Sequence, residues 1–111
     1  MTDEELRERI AALEHEQWAH WTRYLLDVLA PLINDAMGED YRAAAARAEA
    51  GEGWGVFPPW LQALHCWERQ IKTPYVRLSE SEKDSDREWA DKVLALIQRA
   101  EGREVSDDRG L

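Results

Sequence analysis

The chain of 111 residues contains one cysteine, four prolines and three lysines, and it lacks the run of about 18 apolar residues that a membrane-spanning helix needs. The single Cys66 allows no intramolecular disulfide, which excludes a small secreted scaffold held together by bridges. The start, Met-Thr-Asp-Glu-Glu-Leu-Arg-Glu-Arg, is too charged for a signal peptide, so the expected location is cytoplasmic, away from any membrane. Positive charge is scarce too. Fourteen Lys and Arg against 23 Asp and Glu give a net charge of -9, which opposes the long phosphate contacts of duplex nucleic acid. Eleven of the fourteen cations are arginine, however, and a few convergent guanidinium groups can hold one small phosphate or carboxylate. Six tryptophans within 44% hydrophobic residues mark a folded chain whose stability rests on aromatic burial.

Apolar periodicity points to an all-α fold of about four helices. Thr2, with Glu5 three residues on, is a capping-box pattern, and Leu6, Ile10, Leu13, Gln17, Trp21, Tyr24 and Val28 then form a stripe at helical spacing. Glu14, Trp18, Leu25 and Leu29 widen that stripe enough for contact with two elements or with a partner chain. Pro31 is expected to end this helix near Ala30. Residues 39–50 are rich in alanine, with high helix propensity but little bulk, and are expected to form a peripheral helix. Gly51, Gly53 and Gly55 surround Trp54 in a loop. Pro58-Pro59 opens a third helix with Trp60, Leu64, Trp67 and Ile71 on one face, ending near Lys72. Residues 73–77 are expected to be extended. Ser79 with Glu82 is a second capping box, starting a last helix in which Asp86, Trp89, Ala90, Val93, Leu96 and Ile97 share a face and Trp89 anchors the core. A polar tail follows Gly102.

Pro74-Tyr75, then Leu78 and Ser-Glu-Ser-Glu-Lys at 79–83, followed by Asp86-Arg87, resemble the C-terminal half of the ryanodine-receptor repeat, the RyR domain. The stretch Leu-Glu-His-Glu-Gln-Trp-Ala-His-Trp-Thr-Arg-Tyr at 13–24 is similar to the first helix of that repeat and of small stand-alone bacterial and phage relatives, and Gly53-Trp54 to its Gly-Trp pair. The resemblance implies a compact RyR-like helical module over residues 1–102, with 31–57 as an insertion and 103–111 as the tail. Such modules occur in tandem in calcium-release channels and singly in prokaryotic proteins, where ligand sensing in defence systems has been proposed, and the resemblance does not imply an enzyme. It falls residue by residue on Trp18, Pro74, Tyr75, Leu78, Glu80, Glu82, Lys83, Asp86 and Arg87.

No reactive constellation stands out. His15 and His20 are five residues apart and about 140° apart around a helix, too far to grip one ion together. Cys66 lies between packing residues Leu64 and Trp67 and has no evident base, so no metal, cofactor or catalytic residue is expected. Polar residues on faces that otherwise read as core are more telling. Glu14 and Asp86 need partners if buried, which an internal network or a pocket could supply. In a pocket, Trp18, Trp21 and Tyr75 would wall a planar ring, Arg23 or Arg87 would meet a phosphate or carboxylate, and Asp86 would accept ring or ribose donors. The expected function is a non-enzymatic module that recognises a small planar anionic ligand, with a nucleotide-derived signal favoured, sensed or sequestered as a phage counter-defence protein would. The alternative is a protein-interaction module, such as a homodimer, that buries the broad first-helix face, Trp54 and Trp60 against another chain.

Overall fold

A computed structural model describes the backbone of residues 1–106 and the side chains of residues 1–102. Among the described residues the structure is helical, as expected: α1 (Asp3–Met37), α2 (Tyr41–Arg47), α3 (Pro59–Lys72) and α4 (Glu80–Ser106). A π-helical turn (Ala48–Glu52) and two 3-10 turns (Trp54–Val56 and Tyr75–Arg77) complete the chain path. Of the polar tail expected at 103–111, residues 107–111 lie outside the described residues, and α4 continues through Ser106. The chain forms two compact units: Met1–Gln17 with the chain from Pro74 onward, and Trp18–Thr73. Helix α1 contributes to both, and the 31–57 stretch expected as an insertion lies wholly within the second.

Both capping boxes form, and both belong to the first unit. The Thr2 amide donates to Glu5 Oε1 at 3.1 Å while the Glu5 amide donates to Thr2 Oγ1 at 3.0 Å. Ser79 and Glu82 exchange the same pair of bonds at 3.0 and 3.2 Å, satisfying donors that an open helix end leaves without partners. The core of this unit is small: Ala11, Tyr75, Leu78 and Ala90, with Ile10 and Ala12 packed against it. Leu78, immediately before the Ser79 cap, is buried. Trp89 is not the anchor expected of it. It is 56% exposed, with the Lys92 ammonium 4.0 Å from its ring centre, and the adjacent Ala90 is the fully buried residue. The inward face of α4 is therefore turned by one residue, because alanine permits a close approach that an indole would block. Residues 73–77 also differ from expectation, since only Thr73 and Pro74 are extended before the 3-10 turn begins at Tyr75.

The second unit corrects three further expectations. Pro31 does not end α1, which continues to Met37. A proline inside a helix forfeits one backbone hydrogen bond, but stopping there would remove Ile33 and Met37 from the core, and burial wins. Helix α1 instead ends at Gly38, whose φ of 77° closes a Schellman turn in which the Glu39 amide donates to the Asn34 carbonyl at 3.2 Å. Helix α2 is central rather than peripheral. Tyr41, Ala44 and Ala45 are buried with Leu61, and Ala30, Ile33, Met37, Trp54, Phe57 and Leu64 pack against them. Low bulk is what lets α2 sit at the centre. On α3, Trp60 and Trp67 stay well exposed while Leu61 is fully buried, so this helix too is rotated from the face its tryptophans suggest.

Two substitutions test this packing. Leu61→Ala should lower the free energy of unfolding by about 3 kcal/mol, the usual cost of removing a fully buried leucine. Gly38→Ala should cost about 1 kcal/mol through its positive φ. Urea denaturation followed by circular dichroism measures both.

Candidate functional site

The seven residues expected to line a pocket are divided between the units. Glu14, Tyr75, Asp86 and Arg87 belong to the first, and Trp18, Trp21 and Arg23 to the second. Within the first unit Tyr75 and Arg87 converge on a residue the sequence did not single out, Glu8. The Tyr75 hydroxyl donates to Glu8 Oε1 at 3.0 Å, and the Arg87 guanidinium donates to both Glu8 oxygens at 2.9 and 3.1 Å. Arg87 also reaches Glu80 at 2.9 Å and Asp84 at 3.0 Å. The Arg87 hydrogen bond, with a lesser one from Tyr75, outweighs partial burial and holds the Glu8 carboxyl below its ordinary pKa of 4.5. Burial, then the bond to Glu8, pushes Tyr75 up to about 12. Asp86 lies 3.7 Å from His15 Nδ1. Its pKa is raised chiefly by burial, against the pull of His15 and with added repulsion from Glu14. Arg87 thus answers three carboxylates at once, in the manner of a structural clamp.

In the second unit Trp21 is exposed and meets the rings of Tyr24 and His20 edge-on, each at 6.3 Å between centroids. Trp18 and Arg23 are half-buried.

A cleft of about 370 Å³ lies elsewhere in this unit, between α2 with the turn that follows it and α3. It is anchored by a polar cluster at one end. Asp40 caps α2 by accepting from the Arg42 amide at 3.0 Å, and Asn34 Oδ1 accepts from the Tyr41 amide at 2.8 Å, which fixes where both side chains emerge. The Tyr41 hydroxyl and Arg42 Nε then donate to the same oxygen of Glu68, at 3.0 and 2.8 Å, while Arg42 also reaches Asp27 at 2.8 Å. Burial and the bond to Glu68 push Tyr41 up to about 12. Burial works to lower the Arg42 pKa, but its bonds to Asp27 and Glu68 prevail and raise it, so it stays charged. At the other end His65 Nε2 and Glu49 Oε2 are 2.7 Å apart, and the Trp54 ring lies 5.3 Å from the imidazole. Ala45 and Ala46 lie between, and Arg69 and Lys72 complete the lining.

Three of the nine lining residues are Arg or Lys, in a chain where such residues number 14 of 111. The cleft can therefore receive an anionic group beside Arg69 and Lys72, a flat apolar group over the alanines, and a donor at Glu49. Sequence reading missed it. His65, Glu68, Arg69 and Lys72 recur at helical spacing and could have been read as one polar edge of α3, but nothing in the sequence pairs that edge with α2. Among the described residues no group of three or more His, Cys, Asp or Glu could hold a metal, and no helix is long and apolar enough to cross a membrane. No family model matches the chain, and no curated protein or solved structure is found to be similar to it.

The pKa shifts give a two-sided test. Glu8 has a lowered pKa, so its contribution is present above about pH 4.5 and is lost as pH falls through the depressed value. The melting temperature of Glu8→Gln should lie below that of the unsubstituted protein at pH 7, and the gap should close in acid. Tyr41 and Tyr75 have raised pKa values, so their contribution holds below pH 10.0 and is lost as pH rises through about 12. Absorbance titration at alkaline pH should show Tyr41 and Tyr75 ionising late, near pH 12.

Proposed function

We propose that the protein is a non-enzymatic recognition module that binds a small anionic ligand in the cleft between α2 and α3. The observation that carries this reading is that Arg69 and Lys72 stand together on one concavity of a chain with net charge -9, which Arg42 paired with Glu68 and His65 paired with Glu49 also line. Long-range repulsion from the acidic surface makes such a site selective for compact anions that the cations can meet directly, rather than for a nucleic-acid backbone. A phosphate or carboxylate lodges against Arg69 and Lys72. Arg42 is held by Glu68 and Asp27, which balance its charge and keep that wall of the cleft in place. A planar ring lies over Ala45 and Ala46, and Glu49 accepts a ring or ribose donor. That combination favours a nucleotide-derived signal, which the module senses or sequesters.

The resemblance of residues 74–87 to the RyR domain supports a sensing role, though its residues fall in the first unit and the cleft in the second. On this reading Tyr75 and Arg87 maintain the fold of the first unit, and ligand contact belongs to α2 and α3.

Thermal unfolding of ligand-free protein against a panel of nucleoside monophosphates, cyclic nucleotides and cyclic dinucleotides tests the proposal. At least one should raise the melting temperature in step with the logarithm of its concentration, by the several degrees expected when a ligand is present at about 100 times its Kd. Arg69→Gln combined with Lys72→Gln should abolish that rise, whereas Arg87→Gln should lower the starting stability and leave the ligand-dependent rise intact. A panel without effect would overturn the nucleotide assignment.

A further inference from the structure

We propose that the outward face of α1 between Trp21 and Leu32 is the contact surface for a second copy of this chain. Within the second unit α1 carries two apolar stripes. Ala30, Ile33 and Met37 pack against Tyr41, Ala44, Ala45 and Leu61, and Leu26, one turn earlier, is buried on the same side. Trp21, Leu25, Val28 and Leu32 repeat the same spacing of four, three and four, yet they are exposed, as are Tyr24 and Leu29 beside them. At 100° per residue the two stripes are centred about 140° apart, so no rotation of the helix buries both. The spacing of the outer stripe is that of a helix seam, a row of knobs ready to enter the holes of another helix.

The area is sufficient for a dimer. The six outer side chains keep between 43% and 68% of their surface exposed, which amounts to about 600 Å² at ordinary side-chain areas and is as large as the largest patch of a typical monomer. A C2 pair uses the same patch twice. It would bury about 1,200 Å² in total, above the roughly 1,000 Å² that a specific interface requires.

Charge selects the occupant. The outer stripe holds no charged side chain. His20, Arg23 and Asp27 project from other sides of the helix by more than about 100°, and Asp27 is already paired with Arg42. A partner chosen by electrostatics would find nothing to read on this face. An anionic lipid surface is opposed by the net charge of -9, and helices that lie on such surfaces are rich in Lys and Arg, of which α1 has only Arg23 between Trp18 and Met37. A second copy needs neither charge nor a foreign sequence, since the stripe is apolar on both sides of the contact. The cost is mutual repulsion between two acidic chains, which salt screens. Association through this face is therefore strengthened by salt, the reverse of a contact made by opposite charges.

Sedimentation equilibrium of the full chain tests this without reference to any ligand. At about 100 μM and high ionic strength the unsubstituted protein should sediment at twice its 12.9 kDa, and lowering the salt or diluting should shift it toward monomer. Leu25→Glu combined with Val28→Glu should give a monomer in every condition with unchanged helical circular dichroism, because both positions are exposed. Trp21→Ser combined with Leu32→Ser, which adds no charge, should shift the equilibrium the same way. A monomer at every concentration and salt, a dimer that survives both double substitutions, or an association that salt weakens would each overturn the proposal.

Discussion

A buried carboxylate sets the terms for the second unit. Glu68 is held at the edge of a core made of Tyr41, Ala44, Ala45 and Leu61, and a charge in that position is tolerated only when its oxygens are matched by donors. Tyr41 and Arg42 supply them from consecutive positions at the start of α2. The Asp40 cap and the Asn34 bond determine where α2 begins, and the Glu68 bonds tie that beginning to α3. From there the small alanines of α2 leave a concavity that larger residues would have filled. The cleft is thus a by-product of satisfying Glu68, and its cations stand where they do because that cluster fixes the helix pair.

Helix α1 serves two purposes from one sequence. Its inward stripe closes the core over α2, and the need to keep Ile33 and Met37 there carries the helix through Pro31. Its outward stripe is equally apolar and contributes nothing to that core. The breadth of apolar sequence from Trp18 to Leu32 is the sum of these two demands, which is why a single amphipathic face does not describe it. The first unit is organised differently, around the Glu8 carboxylate that Tyr75 and Arg87 share, with little apolar volume behind it.

Local chemistry was the legible part of the sequence. Thr2 with Glu5 and Ser79 with Glu82 announce helix starts because the partners are three residues apart and need nothing from the rest of the chain. Pro58-Pro59 and Lys72 likewise bound α3. What depended on tertiary packing was not legible. The alanines of α2 read as peripheral because bulk was taken as the mark of a core, whereas close helix approach makes small residues the most buried. Trp89 reads as an anchor for the same reason and is exposed. Of the candidate site residues, Tyr75 and Arg87 were expected to contact a ligand and instead bond to Glu8, which lies 67 residues from Tyr75 and carries no local sign of the pairing. The cleft was invisible for the same reason, since its two walls are joined only by bonds such as Tyr41 to Glu68, 27 residues apart.

The most direct measurement is a nuclear magnetic resonance titration of isotopically labelled protein with the nucleotide that stabilises it best, following every backbone amide. If α2 and α3 form the recognition site, the shifts will concentrate at residues 41–49 and 65–72, with His65 among the largest. Shifts centred instead on residues 75–87 would place the ligand at the Glu8 clamp and contradict the assignment of the site to the cleft.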